Sequence, residues 1–398
     1  MSIRRTALIA WDYPPSASGL AVAAREIAES LALAGVETSV FTLDRSGDDW
    51  LNGVRILGCS PAAPGLSGFA RKRMALGHLV APRWFGTRIA AEHAVRPFDC
   101  LEATNWYAPA ALACRTPGLP FVTRHSTPAA LTGAVSGGLR DRIDGRAACW
   151  LEAATARRAD GHIFNTQEHG EVVEALYALS ARRPNAVVGL SLPPERLRAA
   201  AAARYPAAGD GPVELLFVGR PERRKGFDCL TGAVEILSKA AIKGALPAFR
   251  LRLVGVTNRD IDGLSDDARR CVEALGFQSE PDLDALYRAA HIVVAPSRYE
   301  SFGLVYQEAL AFGRPVVALA QDASALKVIG ASGAGFLASD ATGQALADAL
   351  FPLIGNGALR LQLHGKALQA AGQFDRARLA RETLALYEAA RDHRRSIR

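Results

Sequence analysis

The chain is 398 residues long, too long for one ordinary domain and long enough for two that each bury a core. Its 49% hydrophobic and 22% charged residues make a globular balance, and no stretch reaches the uninterrupted apolar length that a transmembrane helix needs. The net charge of +7 admits nucleic acid, an anionic membrane surface or phosphorylated small molecules as partners without choosing among them. Cys59, Cys100, Cys114, Cys149, Cys229 and Cys271 stand far apart, show no metal-ligand spacing, and read as buried thiols in a reducing compartment.

Arg4 and Arg5 precede an apolar run over 6–11, which Asp12, Pro14 and Pro15 end too early for a secretory signal. A buried first strand is expected there. A turn leads to Gly19 and a helix over 19–34, then a strand over 38–42. Strands are expected over 121–124 and 161–164, with helices around 147–158 and 168–179. The Pro- and Gly-containing stretch after 184 and the loop 207–212 place an interdomain connection over 191–212. The pattern then restarts. Strands are expected over 213–218, 251–255, 291–295 and 315–320, and helices over 227–241, 281–290 and 303–312. Helix fills most of the rest, ending with 376–391. Alternating strands and helices signal parallel βαβ units. The expectation is therefore two doubly wound, Rossmann-like α/β domains over 1–190 and 213–375.

The most informative segment runs from Ala295 to Ala318: Ala-Pro-Ser-Arg-Tyr-Glu-Ser-Phe-Gly-Leu-Val-Tyr-Gln-Glu-Ala-Leu-Ala-Phe-Gly-Arg-Pro-Val-Val-Ala. An apolar strand ends at Ala295, and a loop follows with Glu300, Ser301, Phe302 and Gly303. A helix then begins through Leu304 and carries Glu308. Its first N–H groups lack intrahelical partners and its dipole is positive there, a ready place for phosphate. Gly303 allows close approach of a ligand to the backbone. The two carboxylates suit vicinal sugar hydroxyls, because each oxygen accepts hydrogen bonds. Open α/β sheets bind ligands at this end of their strands.

This string resembles the Glu-x7-Glu motif of retaining glycosyltransferases of the GT-B fold, in particular family 4 (group 1). The segment Phe217-Val-Gly-Arg-Pro-Glu-Arg-Arg-Lys-Gly226 resembles the same family's Gly-Arg…Lys-Gly loop, with four cations between Arg220 and Lys225. Such a loop can neutralise a diphosphate. The resemblance implies that Arg220 and Lys225 bind the donor phosphates, whereas Arg223 and Arg224 face solvent. It also implies that Glu300 binds the donor sugar, that Glu308 binds the nucleotide ribose, and that the backbone at Ser301, Phe302, Gly303 and Leu304 meets the donor. In the first half, Tyr13-Pro-Pro-Ser-Ala-Ser-Gly19 resembles the family's first loop, with Gly19 alone where paired glycines are usual. Thr123-Arg-His125 resembles the loop carrying a histidine near the sugar. Asp99-Cys-Leu-Glu102 resembles a strand with an acid facing the acceptor. The family fold implies two domains facing a cleft, with 376–398 crossing back to the first.

Two Asp-x-Asp pairs, Asp260/Asp262 and Asp282/Asp284, read as loop and helix-start acids rather than metal ligands. The glycines at 330, 333 and 335 lack dinucleotide-loop spacing. The implied activity is metal- and cofactor-independent transfer of a hexosyl group, with retention, from a nucleotide-diphospho-sugar to a saccharide or lipid-linked saccharide in bacterial polysaccharide or glycoconjugate synthesis. A sugar-nucleotide epimerase and a non-catalytic nucleotide-sugar-binding protein are the alternatives. Outside 68–88, basic residues do not cluster with aromatic stackers, so nucleic acid is not expected. Residues 68–88 interleave Arg71, Lys72, Arg73, Arg83 and Arg88 with Phe69, Trp84 and Phe85. This pattern reads either as a packed helix whose cations point to water or as a contact with an anionic lipid surface, which would place a cytoplasmic protein at the inner membrane near a polyprenyl-linked acceptor.

Overall fold

A computed structural model describes residues 2–16, 18–61, 79–131, 138–206 and 211–396. The chain divides into two compact units, Met1–Ser191 with Asp375–Arg398, and Leu192–Phe374. Among the described residues no helix is long and apolar enough to cross a membrane.

The first unit is built on an eight-stranded sheet of order β3-β4-β2-β1-β5-β6-β7-β8. Its strands are β1 (Arg5–Ile9), β2 (Glu37–Thr42), β3 (Asp48–Leu51), β4 (Val54–Gly58), β5 (Cys100–Thr104), β6 (Phe121–Arg124), β7 (Gly161–Phe164) and β8 (Asn185–Val187). Pairing is parallel throughout except for the β3–β4 hairpin, whose strand β3 is exposed along its length. The central strands are buried on both faces, which is why they read as short apolar runs without alternation. From β1 the chain builds outward one way through β2, and from β5 it builds the other way. The reversal lies between β1 and β5.

The helix Arg376–Ser396 belongs to this unit and seals one face of it with Leu379, Leu386, Tyr387 and Ala390. Gly161 leaves room for it: a Cβ there would stand 3.0 Å from the Cβ of Ala390. Buried charges fasten this helix at two levels. Arg376 donates to both oxygens of Glu26, at 2.7 and 3.0 Å, and Ser191 Oγ donates to the same carboxylate at 2.7 Å. Deeper in, Glu102 accepts from Arg124 Nε at 2.8 Å and Nη2 at 3.2 Å, and from Tyr387 OH at 2.8 Å. Arg124 Nη2 also donates to Thr383 Oγ1 at 2.9 Å.

Of the stretch 68–88, residues 68–78 lie outside the described residues. The remainder opens the helix Val80–Val95, where Phe85 is fully buried, Trp84 packs against the same core, and Arg88 pairs with Asp48 at 2.7 Å. The aromatics in this part are core residues, and among its cations Arg83 is exposed.

The second unit carries a six-stranded, wholly parallel sheet of order β11-β10-β9-β12-β13-β14. Its strands are β9 (Val213–Val218), β10 (Phe249–Val254), β11 (Val272–Gly276), β12 (Ile292–Ala295), β13 (Val316–Leu319) and β14 (Gly335–Ala338). Here the reversal lies between β9 and β12. The glycines at 330–335 serve packing: a Cβ on Gly335 would meet the Val316 carbonyl oxygen at 1.9 Å. Within the stretch expected to be a connection, Pro194–Ala201 is a helix of this unit, and its Arg196 is buried.

Removing one member of a buried ion pair strands the other. Glu102→Ala should therefore destabilise the protein by about 3–5 kcal/mol, measured as lost resistance to urea. A loss under about 1 kcal/mol would show that the pair is replaceable by water.

Candidate active site

The reversal between β9 and β12 lies at the carboxyl ends of two neighbouring strands, the position at which open α/β sheets form a crevice. The loop after β9 contains Arg220 and the short helical turn Arg223–Lys225. The loop after β12 contains Glu300 and ends at Gly303, which precedes the helix Leu304–Ala311. Lys225 Nζ donates to Glu300 Oε1 across this crevice, so the two loops meet through an ion pair. Ser297 Oγ donates to the same oxygen at 2.8 Å.

Three further contacts set this meeting. Gly226 has φ +69°, and a Cβ there would stand 1.8 Å from the Pro296 carbonyl oxygen, so the loops touch backbone to backbone. Arg298 donates to both oxygens of Asp228, at 2.6 and 2.8 Å, and its N–H donates to the Arg224 carbonyl at 2.8 Å. Arg224 Nη1 donates to the Tyr299 carbonyl at 3.2 Å, so it braces the loop rather than facing water as expected. Arg223 is exposed.

Arg220 stands at the rim with its side chain 70% exposed, paired at 2.6 Å with Glu222. Gly303 adopts φ +59°, and no side chain caps the helix that it opens. The leading N–H groups of that helix therefore lack side-chain acceptors at the same edge. Ser301 is buried, the Phe302 carbonyl accepts from Gln307 Nε2 at 3.0 Å, and Leu304 is half-buried. The structure thus gathers Arg220, Lys225, Glu300 and the 301–304 backbone at one edge of one sheet.

Glu308 is held differently. It lies on the helix Leu304–Ala311, accepting from Arg196 Nη1 at 2.6 Å and Tyr287 OH at 2.8 Å. Arg196 Nε also donates to Asp284 at 2.8 Å. Asp284 is thereby an ion-pair partner, while Asp282 accepts from Ser279 Oγ, Asp260 accepts from Thr257, and Asp262 pairs with Arg269. Among the described residues no group of three or more His, Cys, Asp or Glu is placed to hold a metal ion.

Asp322 was not singled out by its sequence position. It is 1% exposed, and its carboxyl accepts from the Glu300 N–H at 2.8 Å, Tyr306 OH at 2.7 Å and the Ala325 N–H at 3.2 Å. Burial pushes it up from 3.8 to about 7. Ser324 Oγ donates to the Glu300 carbonyl at 2.8 Å, so Glu300 is pinned through both backbone groups.

In the first unit, Gly19 follows β1 at the reversal and begins the helix Gly19–Leu33, whose N-terminus Ser18 caps through Ala21 N–H at 3.0 Å. A Cβ on Gly19 would meet nothing within 4 Å. After β5, Tyr107 and Ala108 adopt φ +54° and +46°, strained values that sequence inspection did not flag. Glu102, expected to face acceptor, lies instead beneath the C-terminal helix with its carboxylate engaged by Arg124 and Tyr387. His125, expected near the sugar, is 0% exposed. Its Nε2 lies 3.2 Å from His162 Nδ1, its ring stacks on Phe164, and burial beside His162 and His169 holds its pKa well below the usual range. Its imidazole is buried among aromatic rings at the carboxyl end of β6.

Two measurements test this geometry. Gly226→Ala should cost at least about 2 kcal/mol of stability by forcing the loops apart, whereas Gly19→Ala should leave the melting temperature unchanged. Equal melting for both variants would refute the backbone contact. Asp322 gives the second test. A carboxyl raised from 3.8 to about 7 in the fold stabilises fully below 3.8, and that contribution is lost as pH rises to about 7. Asp322→Asn lacks this loss. Its stability relative to the parent should climb by on the order of 3–4 kcal/mol between those pH values. A difference flat in pH would show that Asp322 ionises normally.

Comparison with known proteins agrees with this architecture. Residues 212–356 match the family described as glycosyl transferases group 1, and residues 18–189 match the glycosyl transferase 4-like domain. The D-inositol 3-phosphate glycosyltransferase of Kineococcus radiotolerans is 30% identical over 98% of this chain and 96% of its own length. A glycogen synthase of Mycobacterium tuberculosis is 28% identical over 79% of this chain and 77% of its own. Among solved structures, sucrose-phosphate synthase from Thermosynechococcus elongatus superposes with a TM-score of 0.75 at 22% identity, covering 97% of this chain and 98% of that one. HepE of Anabaena, solved in complex with UDP and glucose, gives 0.67 at 17% identity, covering 97% and 100%. The fold is the two-domain α/β arrangement of these GT-B enzymes, and the chain belongs to the group 1, family 4-like glycosyltransferases.

Proposed function

We propose that the chain moves a hexosyl group, with retention, from a nucleotide-diphospho-sugar to a saccharide or lipid-linked saccharide acceptor in bacterial glycoconjugate synthesis. The observation that carries this reading is the Lys225–Glu300 pair beside an uncapped helix N-terminus at a sheet reversal. HepE, a fold neighbour, was solved with UDP and glucose, which favours a donor of that class. Lys225 and Arg220 oppose the diphosphate, and the 301–304 backbone donates to it. Glu300, released from part of its pairing, accepts from donor sugar hydroxyls. Glu308 reaches the nucleotide ribose through the lone pairs that Arg196 and Tyr287 leave open. His125 enters as a buried support for the loop that follows it. Six unpaired cysteines suit a reducing cytoplasm. Peripheral membrane contact through 68–88 now rests on the cations of its sequence.

In the proposed step the bond between the anomeric carbon and the phosphate oxygen breaks. An acceptor hydroxyl adds to that carbon on the same face, and its proton passes to the departing phosphate. The charge growing on that phosphate meets Lys225, Arg220 and the helix N-terminus, so preorganised protein charge does the work of a metal ion. A chain built for this chemistry needs no cofactor.

Lys225→Ala should lower kcat by about 10²–10³ at saturating donor, with melting preserved. Normal turnover would remove Lys225 from the site. Glu308→Gln should weaken donor binding by about 1–3 kcal/mol in calorimetry. Activity should persist in EDTA. Complete loss, restored by Mg²⁺ or Mn²⁺, would overturn the metal-independent reading.

A further inference from the structure

The first unit holds a pocket that the transfer reaction does not use. It is lined by Phe98, Asp99, Gly118 and Pro120 and by Arg391, Arg394 and Arg395 from the last turns of the C-terminal helix. Asp99 immediately precedes β5 and Pro120 immediately precedes β6, so the pocket lies at the amino-terminal edge of the sheet. The loops carrying Gly19 and His125 leave the opposite edge. A strand of five residues separates the two edges by roughly 16 Å. The pocket is therefore distinct from the edge at which ligands of such sheets bind.

Its cations are only partly satisfied. Arg391 is 7% exposed, yet its Nε–H finds no hydrogen-bond acceptor among the described residues. Asp392 stands 3.6 Å from it, beyond hydrogen-bond length. Arg394 spends one nitrogen on Asp160 at 2.9 Å, and its buried Nε–H also lacks an acceptor. Arg395 is 61% exposed and only 3.8 Å from Asp392. The acids nearby are occupied or distant. Asp99 accepts the N–H groups of Arg4 and Arg5 at 2.8 and 2.9 Å, and Asp160 accepts the Phe121 N–H at 2.9 Å. One wall is stiff, because the Arg5 guanidinium lies 4.0 Å from the Phe98 ring centroid.

Guanidinium groups that line a pocket while having few carboxylate partners favour an oxyanion in it, through the nitrogens that reach the pocket rather than through the Nε–H groups buried behind it. Three forks converging beside an apolar wall fit a multiply charged oxyanion on a compact body. We propose that this pocket binds a phosphate-bearing small molecule through Arg391, Arg394 and Arg395, at a second site of the enzyme. The site does not depend on the donor assignment above.

Calorimetric titration of the full chain with inorganic phosphate tests it, in an Arg220→Ala/Lys225→Ala background that weakens donor-side phosphate binding, so that the signal read is the part lost with the arginines of this pocket. Saturable binding of one phosphate per chain is expected. Arg395→Ala, at an exposed position that leaves the fold undisturbed, should weaken it at least tenfold, and Arg391→Gln should weaken it further. No saturable binding, or binding unchanged by both substitutions, overturns the proposal. Co-sedimentation with phosphatidylcholine vesicles, with and without phosphatidylglycerol, separates the sources of phosphate. Arginine-dependent vesicle binding without binding of free phosphate would make this a headgroup contact and overturn the small-molecule reading.

Discussion

The ion pair between Lys225 and Glu300 depends on one topological fact, the reversal of build direction between β9 and β12. At such a reversal the loops leaving two adjacent parallel strands turn to opposite faces and leave a gap. Into that gap the sequence puts a cation from one loop and a carboxylate from the other. Gly226 allows the backbones to meet, the Arg298–Asp228 fork clamps them, and Asp322 fixes the backbone of Glu300 from behind. A pair held this firmly has its reorganisation paid in advance, which is what electrostatic stabilisation of a leaving phosphate requires. Both side chains remain 16% exposed, so neither is sealed in the interior.

The two glutamates of the same motif sit in unlike surroundings. Glu300 faces the crevice from a loop. Glu308, eight residues on, is tied to Arg196 and Tyr287 inside the second unit. Arg196 stands on the helix that begins just after the chain enters this unit, so the Glu308 carboxylate anchors that helix. Glu102 and Arg124 do a purely internal job in the first unit, where they fasten the C-terminal helix through Tyr387 and Thr383.

Much of the fold was legible because buried parallel strands are short apolar runs set between helices: β1, β6, β9 and β12 stand out for that reason. Strand β3 did not, since Asp48, Asp49, Trp50 and Leu51 are all exposed and carry no apolar pattern. Strand β14 hid behind glycines that look like a ligand loop and are a packing requirement. At the site, Lys225 and Glu300 were readable from the strings around them. Arg196 was not, because its partner Glu308 is 112 positions away. Asp322 was not readable either, since a sequence does not reveal that an aspartate lies beneath another residue's amide. Glu102 misled for the converse reason. The register of β5 on β6 sets Glu102 opposite Val122 and brings Arg124 within reach, and such a neighbour is invisible before strands are paired.

The excess of positive charge can now be divided by what each cation would lose on meeting an anion. Arg124, Arg196 and Arg376 are buried against carboxylates, and drawing any of them away would leave a charge unpaired in the interior at a cost of about 3–5 kcal/mol. They build the fold. Arg220 is paired with Glu222 in water, where such a pair is worth about 0–1 kcal/mol, so a diphosphate can take it over at little expense. Arg391 and Arg394 form a third kind, because they line a pocket and have few carboxylate partners there. An oxyanion placed there meets the guanidinium nitrogens that line the pocket and leaves the buried Arg394–Asp160 pair in place. The same residue type thus acts as mortar, as an exchangeable contact or as an unfilled socket, and burial together with the identity of the partner decides which.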